Sequence, residues 1–147
     1  MKTPFKTLIL CSVLLAACGK SSHHDQPEEV STDNPNQALY EQVMEVHDEV
    51  MPKTDEIYKL KKGLQDKIAS TPNIVADKKK QLDQIIAELD SADHSMMDWM
   101  HHFNPLPDSA NQETAREYLE NEMEKIKKVR ELINASIQKA KEEVEKK

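Results

Sequence analysis

The chain reads as an all-α protein: an antiparallel, up-down-up bundle of three long helices with coiled-coil-like packing, preceded by a cleaved leader and a flexible tether. Composition is the first reason. Among 147 residues there are two glycines, 4% aromatics and 32% charged side chains. A sandwich or barrel needs glycine-rich turns and runs of aromatic and β-branched residues, so this composition argues against an all-β fold. Spacing is the second: apolar residues recur three and four apart in three separate runs. Punctuation is the third, because proline-bearing breaks at Ser70–Asn73 and Asn104–Asp108 divide those runs. Gly19 and Gly63 cannot build a phosphate-cradling loop, which excludes Rossmann and P-loop enzymes. A net charge of −7 leaves no electrostatic footprint for nucleic acid.

The first residues carry an address. Lys2 and Lys6 precede an apolar run, Thr7 to Ala17, too short to span a bilayer and of the right length for a secretory signal. The run ends in Leu15-Ala16-Ala17-Cys18-Gly19. This resembles the lipobox of bacterial lipoproteins. The resemblance implies cleavage after residue 17, a diacylglyceryl thioether on Cys18 and acylation of the new terminus. Cys11 leaves with the signal, so the mature chain has one cysteine, that one lipidated, and no disulfide. Gly19, where Asp would signal inner-membrane retention, favours the outer membrane, with the protein facing the periplasm or the surface. Residues 18–34 are polar, with Ser21-Ser22, His23-His24 and Glu28-Glu29, and read as a tether.

The bundle occupies residues 35–147. The first helix spans about 35–70, with Asn34 as cap, Pro35 at the first helical position, and a seam of Leu39, Val43, His47, Val50, Thr54, Ile57, Leu64 and Ile68. Pro52 bends it one turn after His47. The second, about 73–103, buries Leu82, Ile85, Leu89, Ala92, Met96, Trp99 and Phe103. The third, about 109–147, opens on a capping box of Ser109 and Gln112 and buries Leu119, Met123, Ile126, Val129, Ile133, Ile137, Ala140 and Val144, with a lysine-rich tail suited to a helix C-terminus.

Antiparallel pairing about the Thr71-Pro72 turn sets side by side residues whose numbers sum to about 145. His47 then lies level with Asp98, Met44 with His101 and Met51 with His94, with Tyr118 at the same height on the third helix. Imidazole and thioether are soft-metal donors. His47, Met51, His94, Met97, Asp98 and His101 are therefore candidate ligands for copper or zinc. The bland alternative is a core filled by adaptable methionines, with His94, Asp98 and His101 on a solvated stripe. The motifs His47-Asp48-x-x-Met51-Pro52 and Met96-Met97-x-Trp99-Met100 resemble small helical lipoproteins of Gram-negative bacteria, some labelled viral A-type inclusion protein-like. That resemblance spans about residues 37 to 140 and implies a helical fold, with no activity attached. No HExxH, nucleophile elbow or cysteine nucleophile is present, so an enzyme is not expected. The expected role is a lipid-anchored interaction or scaffold module, meeting a protein partner or a second copy. A periplasmic copper- or zinc-binding bundle is the alternative.

Overall fold

The computed structural model describes residues 36–107 and 109–146. The expected signal, Cys18, the tether, and Asn34 and Pro35 lie outside the described residues. Within them the chain is helical without a strand: α1 (Gln37–Val50), a 3-10 turn (Met51–Lys53), α2 (Thr54–Ala69), α3 (Ala76–His102) and α4 (Gln112–Glu145). Among the described residues no helix is long and apolar enough to cross a membrane.

Three rods pack together: α1 with α2, α3, and α4. The expected seams are where the core lies. Val43, Val50, Ile57 and Leu64, seven residues apart, are all buried. So are Leu82, Ile85, Leu89, Ala92, Met96 and Trp99 on α3, and Leu119, Ile126, Ile133 and Ala140 on α4. Three-four spacing keeps one stripe turned inward along each helix. Val144 departs from expectation and is exposed, while its neighbour Glu143 is buried.

The breaks differ in detail from the sequence reading. Pro52 does more than bend a continuous helix; it converts one turn to 3-10 geometry. Lacking an N–H, it cannot satisfy the Asp48 carbonyl, and the backbone tightens locally. Thr54 Oγ1 donates to the Met51 carbonyl at 2.9 Å, closing the turn. The turn keeps right-handed helical dihedrals, so the heptad row continues through it. At the α4 start the capping box of Ser109 and Gln112 does not form. The cap is Asn111, whose side chain accepts from the Glu113 and Thr114 amides at 2.9 and 3.2 Å. The Ala110 amide is turned back to the Pro107 carbonyl (2.8 Å), which delivers Asn111 in extended conformation at the cap position. Gln112 serves elsewhere: Asn36 Nδ2 donates to its carbonyl and to its Oε1, at 2.9 and 2.8 Å, tying the first turns of α1 and α4 together.

The far end is closed differently too. The last turn of α4 holds no basic residue. Lys67 of α2 reaches across instead, donating to the Glu143 and Lys146 carbonyls at 2.6 and 2.5 Å. It thereby satisfies C-terminal acceptors that α4 cannot satisfy itself.

Candidate functional site

α1 packs closely along α4, while its close backbone approaches to α3 are few at most, and it meets α3 through long side chains. Large groups fill the space between them. Tyr40, Trp99, Phe103, Tyr118 and the His47 imidazole form one branched stack. Centroid separations are 4.7 Å for Trp99–Phe103, 5.7 Å for His47–Trp99, 6.1 Å for Tyr40–Phe103 and 6.3 Å for Phe103–Tyr118. Such offset stacking contributes beyond simple area burial. The Tyr118 hydroxyl accepts from the Asn104 amide at 2.7 Å, which pins the loop after α3 to α4, and burial raises its pKa above the usual phenol value. Trp99 Nε1 is buried without an acceptor among the described residues.

His47 occupies the edge of this stack with its side chain 16% exposed. Its Nδ1 stands 2.8 Å from Asp48 Oδ1, and its Nε2 stands 3.2 Å from Met100 Sδ. An ionised carboxylate can only accept, so Nδ1 carries the donated proton. In the neutral ring, the Nε2 lone pair then faces the Met100 thioether. An open groove beside the imidazole is lined by His47, Asp48, Met51, Pro52, Thr54 and Asp55. Met51, four residues after His47 and still in right-handed helical geometry, lies on the same face and walls the groove.

The six residues picked from sequence as metal donors are not one cluster. His47 and Met51 share the groove. Met97 is half-buried against the core. Asp98 lies on the α3–α4 side, in a separate groove with Ser95, Trp99, His102, Glu122 and Lys125, and pairs with His102 at 3.4 Å. His94 and His101 are exposed, and His101 Nδ1 donates to the Met97 carbonyl of its own helix at 2.7 Å. His47 meets α3 at Trp99 and Met100, next to the Asp98 level expected for it, but at 100° per residue Asp98 points away from the side that Met100 presents to α1. Among the described residues no group of three His, Cys, Asp or Glu side chains is arranged to hold a metal ion. Met100, absent from the sequence-derived donor set, is the residue His47 actually meets. The i, i+3 and i+4 relation of Met100 to Met97 and Met96 could have found it.

A second concavity lies at the end where α1 and α4 begin. It is a half-open hollow of about 240 Å³, with Tyr40, Pro105, Leu106, Pro107 and Leu119 among its walls and Asn36 and Gln112 supplying polar groups. Nothing in the periodicity announced it, because its walls come from the loop after α3.

At the opposite end Glu143, 2% exposed, accepts from Lys78, from Lys146 Nζ at 2.7 Å and from Gln81 Nε2 at 3.2 Å. The lysine hydrogen bonds outweigh burial and hold its carboxyl down at about 2. Glu122, 3% exposed, has Lys125 Nζ at 2.7 Å. Both glutamates lie on the heptad row Glu122, Val129, Ser136, Glu143, all four buried. Sequence reasoning missed them because a glutamate on a charged helix reads as solvated.

No protein-family model matches the chain, and neither a curated protein nor a solved structure matches it.

Proposed function

We propose that the chain is a lipid-anchored lipoprotein of the outer membrane, whose helical bundle is an interaction or scaffold module and not an enzyme. The anchor rests on Leu15-Ala16-Ala17-Cys18-Gly19 behind a basic and then apolar leader. Two acyl signals hold a protein on a bilayer where one myristoyl chain does not. The up-down-up arrangement is supported by the direction of cross-helix pairs. Tyr40 with Phe103, His47 with Met100 and Lys61 with Asp90 descend on α3 as they ascend on α1 and α2. Asn36 with Gln112, Glu49 with Arg130 and Glu56 with Lys141 ascend together on α4.

The observation that carries the interaction reading is the hollow at the α1–α4 end. Pro105 and Pro107 restrict the backbone of its rim, Leu106 remains 37% exposed, and apolar walls alternate with amide groups. The hollow joins apolar walls to an almost equal share of polar surface, a mixture that can fix the orientation of what it binds. A protein segment offering one apolar side chain and a polar backbone fits its size.

The test uses the protein in cells. Wild type should enter the detergent phase and take up fatty-acid label, and Cys18→Ser should do neither. A photocrosslinking residue in place of Leu106 should trap a discrete adduct that the same residue in place of Tyr58, exposed on α2, does not. Wild-type protein that stays aqueous and unlabelled overturns the anchor. Equal adducts from both positions overturn the hollow as the partner face.

A further inference from the structure

We propose that His47, Met100 and Met51 form a binding site for a soft monovalent ion of the Cu(I) class. Three observations converge on it. First, His47 Nε2 and Met100 Sδ are 3.2 Å apart across the α1–α3 space. An ion takes bonds of about 2.0 Å to imidazole nitrogen and about 2.3 Å to sulfur, so it fits both donors at close to a right angle. The three rotatable bonds of methionine open that angle toward trigonal with little displacement.

Second, the imidazole is already oriented. Asp48 holds Nδ1–H at 2.8 Å, which leaves Nε2 as the free donor atom aimed at the thioether. A carboxylate behind a ligating histidine fixes the tautomer and strengthens the ligand. Third, His47 also borders an open groove that Met51 shares, which gives solvent access to the imidazole and sets a second thioether near it. Met51 walls this groove from one helical turn further along the same face.

One nitrogen and two thioethers select Cu(I) over Zn(II), which asks for nitrogen, thiolate or carboxylate in greater number. His94, Asp98 and His101 play no part, since Asp98 belongs to the other groove and the two histidines are exposed.

Trp99, the only tryptophan of the chain, reports the site, its ring centroid lying 5.7 Å from that of His47. The experiment titrates Ag(I), a redox-inert stand-in for Cu(I), into the full chain in detergent micelles, in a Cys11→Ser, Cys18→Ser background so that no thiol competes. Trp99 emission and equilibrium dialysis are the readouts. One equivalent should bind at micromolar concentration or below and change the emission, while Zn(II) at the same level does not. Met100→Leu and His47→Gln should each weaken binding tenfold or more, and a His94→Ala, His101→Ala double variant should leave it unchanged. Helicity of each variant is measured in parallel. Leucine conserves the volume of methionine, and if Met100→Leu loses helix the comparison is made with Met51→Leu. Absence of micromolar Ag(I) binding, binding retained in both Met100→Leu and His47→Gln, or equal response to Zn(II) overturns the site.

Discussion

Glu143 shows how a single side chain closes an end of the bundle. Its carboxylate is buried yet held by two lysines and a glutamine, so the charged form is the stable one in the fold. A carboxyl depressed to about 2 binds its proton less readily folded than unfolded. Its contribution is therefore complete above the ordinary glutamate range near 4.5 and is lost as pH falls from there toward about 2. Glu143→Gln should destabilise the bundle at pH 7 by roughly 1–2 kcal/mol, the scale of charge-assisted hydrogen bonds lost at a buried acceptor. The gap between wild type and variant should close by about pH 2. Thermal unfolding of both proteins between pH 2 and 7 checks this, and a pH-independent gap would show that shape, not charge, holds the end together. Asn36 works by the same logic at the other end: its amide spends itself on Gln112 of α4 instead of capping α1.

At the scale of elements, Pro52 is the informative case. It sits between two helices whose seam residues, Val50 and Ile57, are both buried, so the 3-10 turn preserves packing while giving up one backbone hydrogen bond. Pro52→Ala restores that donor and should make α1 and α2 one helix. Mean helicity should rise slightly and stability should increase by up to about 2 kcal/mol, less than the roughly 3 kcal/mol of an unrelieved interior proline, because the turn has relieved part of it. Circular dichroism with urea titration measures both. A loss of stability would show that the 3-10 turn is required to seat Val50 and Ile57. Much of this was legible in sequence: the three seams, both breaks, the place of the kink and the meeting height of His47 with residues 98–100. Azimuth was not, since counting from a turn gives level and not direction, and so Met100 was passed over for Asp98. Caps were not either. Asn111 and Ser109 are equally good caps in isolation, and the choice fell to a loop whose Ala110 amide is already engaged by Pro107.

For the whole molecule, the charged exterior and the narrow core divide the labour. Cross-rod pairs such as Glu88 with Lys139 and Glu56 with Lys141, each at 2.7 Å, join partly exposed side chains. Each contributes at most about 1 kcal/mol, so they set alignment more than stability. Stability comes from three apolar stripes that can be buried only against one another, so the rods should unfold as one unit. Ile133 and Leu132 test this directly, being adjacent on α4, the first fully buried and the second 38% exposed. Ile133→Asp places an unpaired carboxylate in the centre of the core and should cost about 3–5 kcal/mol. Leu132→Asp leaves the charge in water and should cost under about 1 kcal/mol. Urea unfolding followed by Trp99 emission and by helicity should give coincident transitions for wild type, with the midpoint displaced strongly by the first substitution and little by the second. Two separate transitions would mean that the end holding Trp99 melts on its own, and comparable losses at both positions would mean that α4 packs on a different face.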